Sequence, residues 1–289
     1  MLTEAQVNPD QQLPMPFQAA SDYAQTVMAW AQMATDPGVV ARRDVAYGVH
    51  HLHRYNVFSP AGPNTRTNGG PAPIVIFWHG GGWTNGYRDY NSFMARHITA
   101  LGCVLVSPSY RLVTEAKFPA AFDDAMAVVA HIRQHGGGFG GDPARIYLAG
   151  HSAGGHLAAL VALRSPTRVQ GCLPISGILD LHHPSPAAGS LEERVYTLVL
   201  SDAAQDAVMS PICWTPGNRV PFDLTVGEHD SARVRQSNRR MLALLQLQNA
   251  GVTFNENIDQ SHFDTHTCLH DAGAPWYARL LKMIEASEA

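Results

Sequence analysis

The stretch Arg145-Ile146-Tyr147-Leu148-Ala149-Gly150-His151-Ser152-Ala153-Gly154-Gly155-His156-Leu157 constrains the chain more than any other. An apolar run leads into a Gly-x-Ser-x-Gly sequence and then into small residues of helical character. A strand that turns sharply into a helix lifts the Ser152 side chain above the end of a sheet. Such a turn strains the serine backbone, so its neighbours must be almost without side chains, as Gly150 and Gly154 are. Ala158 and Ala159 let the helix pack close behind it. The five-residue pattern arises readily by chance; the strand before it and the helix after it give it weight. Ser152 is therefore a candidate nucleophile, provided that the chain also supplies a base, an acid and oxyanion donors.

Upstream, residues 17–35 read as a helix with Tyr23, Val27, Met28, Trp30 and Met33 as apolar surface, ended by Asp36-Pro37-Gly38. Ala46 to Pro60 reads as a pair of early strands, and 61–73 as a surface turn. From there apolar runs and helical patterns alternate. Strands are expected at 74–78, 103–106, 146–149, 169–175, 224–226 and 252–258. Helices are expected at 90–100, 120–135, 152–163, 231–248 and 275–286. Continuous apolar strands separated by helices imply a mostly parallel sheet covered on both faces. One segment breaks the rhythm: 177–221, with five prolines around a helical piece at 190–200. A long insertion of this kind reads as part of a lid over a site. The chain of 289 residues is expected to form one domain, with 1–45 and 177–221 as lid elements.

Acyl transfer by serine needs a base, an acid that orients it, and donors for the developing oxyanion. In open sheets flanked by helices these lie at the carboxyl ends of strands. After the strand 74–78 comes His79-Gly80-Gly81-Gly82-Trp83, whose bare backbone can aim N–H groups into a cavity. The expected donors are Gly81, Gly82 and the N–H of Ala153, with His79 holding the loop. For the acid, Asp230 at the tip of 224–226 comes first, then Asp180, then Glu228; Ser231 can cap the helix that follows Asp230. For the base, His262 lies just after the last strand. Ser152, Asp230 and His262 then follow the order serine, acid, histidine. Trp83, Trp214 and Phe222 are candidate substrate contacts, suited to a compact, flat group.

No metal site is expected. His262, His266 and His270 recur at a four-residue spacing but lack a clear partner set, and His50, His51 and His53 read as strand residues. No cofactor is implied. Four scattered cysteines without a paired spacing argue against a disulfide framework and suit a reducing compartment. A net charge of −4 gives no electrostatic reason to expect nucleic acid or an anionic membrane. The polar start, Met1 to Pro16, lacks the pattern of a signal peptide, and no segment reaches the length of a membrane span. The expectation is a cytoplasmic protein acting on a small molecule; a homodimer is compatible with the sequence but not read from it.

His79-Gly80-Gly81-Gly82-Trp83, Ser109-Tyr110-Arg111-Leu112, Phe118-Pro119-Ala120, Asp123-Asp124 and Gly150-His151-Ser152-Ala153-Gly154 together resemble the hormone-sensitive-lipase-like branch of the α/β-hydrolases. Gly227-Glu228-His229-Asp230-Ser231, followed by Arg235-Gln236-Ser237, is similar to the kynurenine formamidase (arylformamidase) group of that branch. The likeness spans roughly residues 45–285. It implies the eight-stranded α/β-hydrolase fold with Ser152, Asp230 and His262 as triad. Arylformamidases often carry a bulky residue where this chain has Gly82, a position at which esterases have glycine. The expected activity is a serine hydrolase cleaving a small, aromatic amide, formamide or ester. A short-chain carboxylesterase is the alternative, and a non-catalytic binding protein on the same fold is the reading of another class.

Overall fold

The computed structural model describes residues 12–33, 36–62 and 70–288. Among these, eight strands form one sheet: β1 (Val39–Ala46), β2 (Arg54–Pro60), β3 (Ala72–Trp78), β4 (Val104–Pro108), β5 (Gly141–His151), β6 (Gly171–Ile175), β7 (Phe222–His229) and β8 (Val252–Ser261). Their spatial order is β1-β2-β4-β3-β5-β6-β7-β8. β2 runs antiparallel to both β1 and β4, and every pairing from β4 through β8 is parallel.

The alternation along β3 shows how the sheet is covered. Ile74, Ile76 and Trp78 join one apolar cluster with helices α3 (Ala120–His135), α4 (Ala153–Arg164) and α6 (Ala232–Gln246). Val75 and Phe77 point the other way, into a cluster with α1 (Gln18–Met33), α2 (Ala95–Ala100) and α8 (Pro275–Glu288). All seven residues of β3 are buried, each large apolar side chain contributing about 1.5–3 kcal/mol. That two-sided burial is why the parallel strands read as unbroken apolar runs.

The strand order reverses at β3. The chain leaves β3 toward β4 on one side, and leaves β5 toward β6 on the other. The loop after β3 and the turn after β5 therefore open into one crevice at the carboxyl edge, the switch point where open sheets of this kind bind ligands.

Two expectations need correction. The first strand is β1 at Val39–Ala46, earlier than expected, and His50, His51 and His53 lie in the turn between β1 and β2. The helix expected at 90–100 is a 3-10 turn, Arg88–Met94, that continues into the short α2. The segment between β6 and β7 holds α5 (Leu191–Arg194), a wider turn at Val195–Val199 and two 3-10 turns. It is fastened to the rest of the fold: Arg233 donates to the carbonyls of Asp180 and Leu181 at 3.2 and 2.9 Å. His156 on α4 meets the carbonyl of Met209 at 2.7 Å, and Arg240 pairs with Asp180. Among the described residues, no helix is long and apolar enough to cross a membrane.

Candidate active site

Ser152 sits at the junction of β5 and α4 with φ 55° and ψ −118°, a backbone region that costs a non-glycine residue about 1–3 kcal/mol. Its N–H is held by the Ile175 carbonyl at 2.9 Å, and its own carbonyl starts the helix by accepting from His156 at 3.0 Å. The glycines of the motif are explained by the approach of β3. A methyl on Gly154 would overlap the Trp78 carbonyl, and one on Gly150 would come within 2.8 Å of the same oxygen. Because that oxygen belongs to backbone, it cannot move aside cheaply. Gly154→Ala is expected to lower stability by about 3 kcal/mol or more, measured by urea unfolding; a loss below about 1 kcal/mol would refute the packing argument.

This approach also brings the 79–83 loop beside the serine. His79 is buried, stacks on Tyr110 with ring centroids 4.4 Å apart, and donates from Nδ1 to the Gly80 carbonyl at 2.7 Å. Tyr110 in turn donates to the His79 carbonyl at 3.0 Å. Burial pushes the His79 imidazole down to about 4, so it is a neutral strut, as its place in the loop implied. Gly81 and Gly82 have φ of 119° and 59°, both in the range that favours glycine. Among the described residues, no backbone carbonyl accepts from the N–H of Gly81, Gly82 or Ala153.

Asp230 and His262 come to the serine from β7 and from the loop after β8. His262 Nδ1 lies 2.6 Å from Asp230 Oδ1, and its Nε2 lies 2.9 Å from Ser152 Oγ. A carboxylate only accepts, so the imidazole proton belongs on Nδ1 and Nε2 is left bare to accept from the serine hydroxyl. The other carboxylate oxygen, Oδ2, accepts from Ser176 Oγ at 2.6 Å and from the Gly227 N–H at 2.8 Å. Burial would raise the Asp230 carboxyl, but the hydrogen bond and charge of His262, with Ser176 and Gly227, hold it below its ordinary value. It is ionised whenever His262 needs orienting.

The other acids are engaged elsewhere. Asp180 pairs with Arg240, Glu228 accepts from the Asp259 N–H at 3.0 Å, and Asp223 pairs with Arg279 at 3.0 Å. Nor do His262, His266 and His270 converge. His266 is buried with Nδ1 on the Tyr23 hydroxyl at 2.8 Å, while His270 stacks on Trp30 at 4.2 Å. His50 and His51 both reach Glu115, at 2.7 and 3.0 Å. His50 Nδ1 accepts from the Leu52 N–H, so its Nε2 carries the proton and offers the carboxylate an N–H instead of a metal a lone pair.

The three aromatic substrate contacts do not hold. Trp83 is only 1% exposed and packs edge-on against Phe118 and His156, at 5.6 and 5.1 Å. It is a wall of the site's foundation, not an open face. Phe222 begins β7 and is buried at the end of that strand opposite to Asp230. Trp214 lies against Arg164, the last residue of α4, at 4.3 Å, about 18 Å along the helix from the serine. Conversely, sequence reading passed over Ser176 and Thr265, which meet at 2.8 Å behind Asp230. Ser176 stands directly after β6, so the search of strand ends that found the acid and base reaches it too.

The match to proteins of known family agrees with this geometry. Residues 75–262 match a family model described as the alpha/beta hydrolase fold. Carboxylesterase NlhH of Mycobacterium tuberculosis is 41% identical over 91 residues, which is 31% of this chain and 28% of that protein. Isoprenylcysteine alpha-carbonyl methylesterase ICME of Arabidopsis thaliana is 31% identical over 127 residues, 44% of this chain and 29% of that protein. The chain thus spans under a third of the length of these relatives. Among solved structures, an esterase of Pyrobaculum calidifontis superposes with a TM-score of 0.75 at 23% identity, covering 96% of this chain and 95% of that one. The strand order, the strained serine turn and a family match over most of the chain lead to one assignment: the protein belongs to the α/β-hydrolase family.

Proposed function

We propose that this protein is a serine hydrolase that cleaves small carboxylic esters through an acyl-enzyme. The observation that carries this reading is the continuous chain from Ser152 Oγ through His262 to Asp230, with each proton position forced by its neighbour. His262 Nε2 takes the hydroxyl proton as Ser152 Oγ attacks the carbonyl carbon. The imidazolium that forms is stabilised by Asp230, and the oxyanion is received by the N–H groups of Gly81, Gly82 and Ala153. Collapse of the tetrahedral intermediate expels the alcohol, which takes its proton from His262. Water then repeats the sequence on the acyl-enzyme.

Two observations favour esters over aryl amides. Relatives that match this chain carry esterase names. The aromatic preference expected from the sequence rested on Trp83, Trp214 and Phe222, none of which offers a ring to the serine. With Trp83, Phe118 and His156 filling the space beside the first turn of α4, a short acyl group fits best. The insertion at 177–221 and the N-terminal segment, which touches the 79–86 loop through Gln12 and Leu13, are proposed to border the mouth as lid elements.

The test is kcat/KM on p-nitrophenyl acetate, butyrate and octanoate beside N-formylkynurenine, with Ser152→Ala as blank, plus labelling by a fluorophosphonate. The expected result is labelling at Ser152, turnover of acetate and butyrate at least tenfold above octanoate, and little turnover of the formamide. Preference for the formamide would restore the arylformamidase reading. Absence of both labelling and turnover would favour a non-catalytic binder.

A further inference from the structure

We propose that His151 is a positioning residue for the base: its Nε2–H, held on the main-chain carbonyl of His262, fixes how that imidazole meets the serine. This rests on the reading of Ser152, His262 and Asp230 as a hydrolytic triad. Consecutive residues of one strained turn grip the same histidine at two points. Ser152 Oγ meets the His262 ring at 2.9 Å, and His151 Nε2 meets the His262 carbonyl at 2.8 Å.

The proton on His151 is assigned by its surroundings. A carbonyl only accepts, so Nε2 carries the hydrogen and Nδ1 is bare. Nδ1 is buried and has no hydrogen-bond partner among the described residues. It faces Gly80, where a methyl would come within 2.8 Å of it. Burial first, then the neighbouring His262 and His266, hold His151 well below the ordinary imidazole value, so it stays neutral through the working pH range. Its ring is packed between His262 at 4.9 Å and His266 at 5.1 Å, with Tyr23 at 5.7 Å. A ring held on every side, donating to one chosen carbonyl, has no freedom to let that carbonyl drift.

The need for such a grip follows from the loop that carries the base. His262 lies between β8 and the single-turn helix α7 (Asp264–Thr267) and is itself only partly buried. Thr265 also donates to the same carbonyl at 2.8 Å, but from within that loop. Its other contact, Ser176 at 2.8 Å, ties the loop to the end of β6, so it does not tie the loop to the serine turn itself. His151 does, and a displacement of about 1 Å between nucleophile and base is enough to cost about a hundredfold in rate.

The experiment compares His151→Gln, which keeps an amide donor at similar reach, with His151→Leu, which keeps bulk without a donor. Each full-length variant is assayed for kcat and KM on p-nitrophenyl butyrate and for the rate of fluorophosphonate labelling, with Ser152→Ala as blank. His151→Leu is expected to lose about 10- to 100-fold in kcat and in labelling rate with KM within about threefold. His151→Gln is expected to stay within about threefold of the parent. The proposal fails if His151→Leu keeps its kcat, or if His151→Gln falls as far as His151→Leu, which would make the ring and not the donor the important part. Should His151→Leu not fold, His151→Met removes the donor with a more adaptable side chain and is read the same way. Full activity of Ser152→Ala would instead remove the triad reading beneath it.

Discussion

Asp230→Asn is expected to lower kcat on a short ester by about ten-thousandfold while leaving KM and the fold nearly unchanged. The reason lies in what holds the far side of the carboxylate. Oδ2 receives two donors, the Ser176 hydroxyl and the Gly227 N–H. An asparagine can satisfy these only by turning its carbonyl oxygen toward them, because an NH2 group would face two hydrogens. Its NH2 then faces His262 Nδ1, which must become the acceptor. The imidazole proton is driven to Nε2, the atom that has to accept from Ser152. The variant would keep the geometry and hold the wrong tautomer. Steady-state kinetics give the loss, and the nitrogen chemical shifts of His262 give the tautomer. A loss under about tenfold, or a proton still on Nδ1, would disprove this account of the acid.

The same network marks where sequence reading succeeds and where it stops. Ser152, Asp230 and His262 were legible because each stands just past a strand that the sequence shows, and parallel sheets put all such ends on one edge. The glycine loop was found by the same search, as bare backbone directly after a strand, with Ser152 in the same chain giving it weight. β1 was not: its residues are mostly exposed, with Arg42, Arg43 and Asp44 in a row and a register shift between Arg42 and Val45. An edge strand that relies on pairing to β2 has no apolar pattern to show. The aromatic contacts failed for a different reason. Phe222 is near the insertion in sequence, but eight residues of extended strand carry it roughly 26 Å from Asp230. Trp214 is likewise displaced by the length of α4. Proximity in sequence to a lid segment says nothing of which end of an element faces the site.

Stability is expected to fall steeply as pH drops below 6.5. Burial lowers the imidazoles of His79 and His156 to about 4 and that of His266 to about 3. All three are fully buried, so solvent screening does not weaken the argument. In the unfolded chain each returns to about 6.5. Between those values the unfolded state binds more protons than the folded one, so stability is complete above pH 6.5 and is lost as pH falls toward 4. At pH 5 each histidine removes about 2 kcal/mol, and the three together remove a large share of the 5–15 kcal/mol typical of a folded domain. Asp230 acts in a lower window: its folded value is depressed, so its contribution is present above about 4 and is lost only below that. The thermal midpoint is therefore expected to drop on the order of 10–20 °C between pH 7 and pH 5. His156→Gln keeps a donor for the Met209 carbonyl without a titrating ring, and should recover about a third of that drop. A midpoint that is flat over this range would show that these imidazoles find protons, or water, without unfolding the core around them.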